Sequence, residues 1–186
     1  MLEKIKATAE FISKTTGFTP KTGIILGSGL GGLVKEIEIE KELNYADIPG
    51  FPVSTVKGHG NKLIFGTLNG VKVVAMQGRF HFYEGYSMQE VAMPVRVMKF
   101  LGIKNIILSN ASGGVNPKYK VGDLMILDDH INLMGTNPLI GPNNDDLGPR
   151  FPDMGESYDK TMIKAAKAIA DKHGFTCHTG DYAAVT

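Results

Sequence analysis

The sequence predicts an α/β domain built on a mixed sheet. Three observations carry this: amphipathic runs of helical period near both ends of the chain, short apolar runs between them, and an Asn69-Gly70 turn that folds two of those runs back on each other. Leu2, Ile5, Ala9 and Ile12 recur at helical spacing, and Gly17 with Pro20 closes that helix ahead of an apolar strand at 23–26. In the next run, Ile37, Ile39 and Leu43 alternate with Glu36, Glu38, Glu40 and Glu42, as in a strand with one wet face. Residues 63–68 and 71–76 flank Asn69 and Gly70, which tolerate positive φ, so a tight hairpin is expected. Ser87 stands three residues before Glu90 as a capping box, opening a helix that presents Met88, Val91, Ala92, Val95, Met98 and Leu101 to a core, kinks at Pro94 and stops at Gly102. Residues 103–108 and 124–127 read as buried strands, and 158–173 as a second amphipathic helix ended by Gly174. Four glycines and four prolines between Gly135 and Gly155 predict a long loop.

Bulk composition narrows the function classes. At 186 residues and 42% hydrophobic content, one domain over 1–186 is expected. Lys plus Arg number 20 against 19 Asp plus Glu, which leaves no broad electrostatic footprint for nucleic acid or anionic lipid; an anion site must be local. Cys177 is the sole cysteine, which excludes an internal disulfide framework and fits a reducing compartment. The N-terminal residues have no signal-peptide h-region and no later run is long enough to span a bilayer, so a cytoplasmic protein without membrane contact is expected.

The segment IILGSGLGGL at 24–33 spells GxGxxG through Gly27, Gly29 and Gly32. A dinucleotide fold needs a crossover helix and a buried parallel strand after that turn, but only a few residues separate Gly32 from the half-polar strand at Ile37. No Lys followed by Ser or Thr completes a Walker loop either. Two readings of the loop stand: a concave array of backbone amides for an anion, with the Ser28 hydroxyl as a further donor, or a tight turn that lets elements pack closely.

MQGRFHFYEGY at 76–86 weighs toward the anion. An arginine fork matches phosphate oxygens in two places and keeps its charge, and His81, two residues beyond Arg79, points to the same side of an extended segment. His59 lies in the Gly-flanked KGHGN loop, and LSNASGGVNP at 108–117 follows an apolar strand, where open α/β sheets bind ligands. A metal site at His59, His81 and His130 finds no HExxH pair and no cysteine cluster beside it.

In this order and at these separations, LGSGLGG, GHG, QGRFHFYEGY, NASGG and RFPDM resemble the trimeric purine nucleoside phosphorylases, over essentially all 186 residues. The resemblance implies a single three-layer α/β/α domain with a mixed, partly barrel-like sheet. It implies phosphorolysis of purine nucleosides to the free base and ribose 1-phosphate, with inorganic phosphate as co-substrate and neither metal nor organic cofactor. Carried over by position, Ser28, His59, Arg79, His81 and the backbone amide of Ala111 would hold phosphate, with Arg79 and His81 the catalytic pair. Tyr83 would contact the sugar, and Phe151 would cover the ribose in a neighbouring subunit of a homotrimer. The family's GPxxET glutamate and later asparagine, which assist the departing base, have no counterpart in the sequence, which stops at Thr186 inside what reads as a buried strand. The expectation is a fragment of a phosphorylase. The alternative is a phosphate- or nucleoside-binding module with little turnover.

Overall fold

Helix α1 (Leu2–Thr16) buries Ile5, Thr8, Ala9 and Ile12 along one stripe, and Gly17 ends it in the left-handed conformation at φ 62°, its N–H donating to Ser13 O. The buried Thr8 hydroxyl lies 2.8 Å from Lys4 O and 2.9 Å from Pro49 O, so its one proton serves two carbonyls. The computed structural model describes residues 1–27, 29–53 and 60–185. The chain separates into two units, Met1–Ala111 and Ser112–Thr186, each with its own sheet.

The first unit is organised around strands β1 (Thr22–Ile25), β2 (Glu38–Asn44), β3 (Lys62–Leu68), β4 (Val71–Gln77) and β5 (Asn105–Leu108), in the order β2-β3-β4-β1-β5. β1 runs parallel to both β4 and β5, whereas β3 is antiparallel to its two neighbours β2 and β4, so the mixed sheet is as expected. Its order is open, with β2 and β5 at the edges; the partly barrel-like closure is corrected to an open sheet. Asn69 and Gly70, at φ 47° and 78°, make the β3–β4 hairpin.

Pleating sorts the core into two. Ile25, Leu63, Phe65, Val74 and Met76 face α1 and helix α3 (Met93–Phe100), while Ile24, Leu26, Ile64, Val73 and Ala75 pack on the other side against Val34 and Ile37. Val34 belongs to a 3-10 turn, Gly31–Glu36, where a dinucleotide fold would have its crossover helix. The expected single helix after Ser87 is two: the capping box forms and opens the four-residue α2 (Met88–Val91), the chain breaks at Ala92, and Pro94 sits in the first turn of α3, where its missing N–H costs nothing.

Two strand readings need correction. β2 lies at the sheet edge: Ile37 and Leu43 pack on the core, but Ile39 between them is exposed, so the alternation does not mark one continuous buried face. β5 is the opposite edge, and Leu108 is 61% exposed rather than buried; a short apolar run has the same composition at an edge as at a centre.

In the second unit, β6 (Leu124–Asn132) runs parallel to β7 (Cys177–Ala184). β6 extends through Asp128, Asp129 and His130, beyond its apolar start, because β7 supplies ladder partners along its length. β6 and β7 are both half-exposed instead of buried, with Leu124 53% exposed. Helix α4 (Lys160–His173) begins two residues later than its apolar pattern, at the Asp159 cap, whose carboxylate accepts from Met162 N at 2.8 Å. Between β6 and α4 the chain forms turns, pinned where Arg150 Nη1 donates to Gly141 O at 2.6 Å and to Leu139 O at 3.1 Å.

Candidate functional site

The parallel strands β1, β4 and β5 end on the same side of the sheet, and the segments that follow them carry the residues of interest. Beneath them lies an aromatic floor. Tyr45, fully buried, packs at 5.1 Å from Phe51 and 5.3 Å from Phe80, and Phe80 meets Tyr86 edge-on at 5.8 Å. The Tyr45 hydroxyl donates to Gly78 O at 2.6 Å, and burial pushes its ionisation far above the usual tyrosine range, so it remains a donor. Gly78 has φ 105°, a conformation that favours glycine, and Phe80 is anchored in the core. In an extended segment, burying residue 80 turns residues 79 and 81 to the other side together.

They meet there. Arg79 Nε donates to His81 Nε2 at 3.2 Å, and Arg79 Nη1 donates to Ser109 O, beyond β5, at 2.7 Å. His81 Nδ1 lies 2.8 Å from Glu84 Oε1, and the same oxygen accepts from the His81 backbone N–H at 2.9 Å. Because arginine only donates, Nε2 is the acceptor and the imidazole proton sits on Nδ1, facing the carboxylate. His81 is thus a brace between a guanidinium and Glu84, whose side chain is 2% exposed. Both ring nitrogens are engaged, so in this arrangement the ring offers no further N–H to a ligand. Tyr83 is 75% exposed and stacks on His81 at 4.7 Å between ring centres and 19° between planes.

The glycine turn is joined to the same place. Leu30 N donates to Gly27 O at 3.2 Å across a turn with Gly29 at φ 82°. Gly27 N donates to Ser109 Oγ at 3.0 Å, and a Cβ on Gly27 would lie 2.4 Å from Ser109 O and 2.7 Å from Asn110 Cα. Gly27 therefore serves close packing, one of the two readings of the loop; packing is what brings the turn up to Arg79 through Ser109. Ala111 is exposed two residues further on, with its carbonyl accepting from Asn110 Nδ2 at 3.2 Å.

Arg79, His81 and Tyr83 are thus brought together, on the segment that ends β4. Ser28 and His59 lie outside the described residues. Phe151 is in the second unit, 88% exposed. No local pattern marks Ser109 or the Tyr45 floor, whereas the hold of Glu84 on His81 has a signal in the His81-x-x-Glu84 spacing, which repeats the capping pattern of Ser87 and Glu90. Among the described residues, no group of three or more His, Cys, Asp and Glu is placed to hold a metal, and no helix is long and apolar enough to cross a membrane.

The family model described as the phosphorylase superfamily matches residues 21–186. A protein named purine nucleoside phosphorylase 1 from Bacillus subtilis (strain 168) is 57% identical over all 186 residues, which span 69% of its length. Its namesake from Geobacillus stearothermophilus is 53% identical over 182 residues, 98% of this chain and 66% of the relative. Among solved structures, a purine nucleoside phosphorylase in complex with ribose 1-phosphate is similar at a TM-score of 0.93 and 49% identity, over 98% of this chain and 69% of that one.

Proposed function

The chain belongs to the phosphorylase superfamily, and from that membership we propose that it serves the phosphorolytic cleavage of the N-glycosidic bond of purine (deoxy)ribonucleosides, giving the free base and (deoxy)ribose 1-phosphate. It spans about two thirds of the curated relatives it matches. The observation that carries the reading is the placement of Arg79 at the carboxyl ends of three parallel strands, braced by His81 and by Ser109 O.

Inorganic phosphate is the co-substrate in this reading, held by Arg79, Ser28, His59 and the backbone amide of Ala111, with His81 contributing through the Arg79 that it braces. Tyr83 and a neighbouring copy's Phe151 flank the sugar, in a homotrimer working in the cytoplasm without metal or organic cofactor. The high exposure of Tyr83 and Phe151 supports their having a ligand or partner to cover. A single family match across both units supports treating 1–186 as parts of one phosphorylase domain.

The chemistry follows from charge. As the bond to the base stretches, the sugar becomes positive; a phosphate dianion fixed beneath it by the guanidinium and loop amides stabilises that charge, then attacks the anomeric carbon as the base leaves with the bonding pair. Fixing both reactants replaces a bimolecular encounter by an oriented one. Since His81 Nδ1 is held by Glu84, the ring's task in this arrangement is to aim Arg79.

Titration with inorganic phosphate, followed by an assay for base release from inosine, tests the reading. Arg79→Ala is expected to weaken phosphate binding by at least about 1.5 kcal/mol, roughly tenfold. Unchanged affinity overturns the role of Arg79, and phosphate binding without base release selects a phosphate- or nucleoside-binding module.

A further inference from the structure

We propose that Ser109 is a positioning residue for the phosphate site, its hydroxyl releasing its own backbone carbonyl to hold Arg79; the inference rests on the function proposed above. In a parallel ladder, a residue on one strand receives an N–H from the residue after its partner and gives its own N–H to the residue before. The β1–β5 register pairs Ile25 with Leu108. One step further, Ser109 N donates to Ile25 O at 3.0 Å, as the ladder requires. The matching bond, from Gly27 N to Ser109 O, is replaced: Gly27 N donates to Ser109 Oγ at 3.0 Å. The hydroxyl in turn lies 3.3 Å from Ile25 O as donor. Ser109 O, relieved of the ladder bond, accepts from Arg79 Nη1 at 2.7 Å.

The substitution of hydroxyl for carbonyl ties three segments at one residue. The turn after β1 is held through Gly27, the arginine after β4 through the carbonyl, and β5 supplies both groups. It also explains why residue 27 is glycine, because the displaced carbonyl occupies the space a Cβ would need. An alanine at 109 removes the alternative acceptor, so Gly27 N–H turns to the carbonyl of residue 109, which the guanidinium must then share, and its hold on Arg79 weakens.

The test compares the unsubstituted chain with Ser109→Ala and Ser109→Thr by phosphate titration, by nitrogen NMR of the Arg79 side chain, and by amide exchange in the β3–β4 hairpin. Ser109→Ala is expected to raise the phosphate Kd by about fivefold or more and to merge the Arg79 Nη signals through free rotation, the consequence of losing one well-placed hydrogen bond. Ser109→Thr is expected to restore both, with hairpin exchange equal in all three. Phosphate affinity and Arg79 signals unchanged in Ser109→Ala overturn the inference alone, as does hairpin exchange accelerated in parallel, which marks general loosening. An unsubstituted chain that takes up no phosphate overturns the functional reading and, with it, the role of Ser109. If Ser109→Ala does not fold, Ser109→Cys, which keeps the volume but accepts hydrogen bonds weakly, takes its place in the same comparison.

Discussion

The two units of this chain are held together by different means. In the first, Phe65, Ile64, Leu63, Val74 and Met76 alternate across a five-stranded sheet and fill both its faces, with α1 and α3 closing one of them. In the second, Ala170 is the one hydrophobic residue among those described that is buried, and order comes from the β6–β7 ladder, the Asp159 cap and the turns around Arg150. Side-chain packing fixes atoms to a fraction of an ångström, whereas a ladder and a few turns fix mainly the backbone. A guanidinium that must meet an anion belongs on the first kind of scaffold. An aromatic cover, the role proposed for Phe151, tolerates the second.

The sharpest break of this contrast is a pair of identical truncations. Phe65→Ala removes a fully buried ring and is expected to cost ~3–5 kcal/mol in urea denaturation, whereas Phe175→Ala, at an exposed ring stacked on His173, is expected to stay within about 0.5 kcal/mol of the parent. Equal losses at the two positions contradict the distinction. Next in size is Gly27→Ala, whose Cβ overlaps Ser109 O; it is expected to cost ~1–3 kcal/mol and to abolish measurable phosphate uptake, read by denaturation and titration.

Tyr45→Phe leaves Gly78 O without its donor and is expected to cost about 1–2 kcal/mol, with a looser Arg79 seen as weaker phosphate binding. The smallest effect concerns pH in the second unit. Asp123 accepts from Lys120 N at 2.9 Å and from His178 Nε2 at 2.8 Å, contacts that hold its carboxyl below the usual carboxylate range. A depressed carboxylate stabilises the fold above its unfolded value, and that contribution is lost as pH falls through the folded value. Acidification below the ordinary carboxylate range is therefore expected to loosen the Tyr119 ring, which stacks on His178 at 4.1 Å, without changing exchange in the β3–β4 hairpin. Asp123→Asn is expected to remove that pH dependence, as followed by tyrosine ring NMR.

Much of this was legible in residues close together in the chain. Asn69-Gly70, Gly17, Ser87 with Glu90, and the alternation of Arg79, Phe80 and His81 each encode a local geometry that tertiary context left standing. The role of Ser109 was hidden, because it depends on a register between β1 and β5 that joins residues 82 positions apart, and a serine after an apolar run has no distinctive pattern. The Tyr45 to Gly78 bond is hidden for the same reason. The exposure of β5 and β7 is not legible, because apolarity reports what a strand could bury, while its place in the sheet decides what it does bury.

The central claim is that one oxyanion is received beside Arg79 at the carboxyl ends of β1, β4 and β5. A crystal structure of the chain soaked in inorganic phosphate tests it most directly. Phosphate oxygens are expected about 3 Å from the Arg79 guanidinium and from backbone amides of the turns after β1 and β5. Phosphate bound elsewhere, with no oxygen near the Arg79 guanidinium, would contradict it.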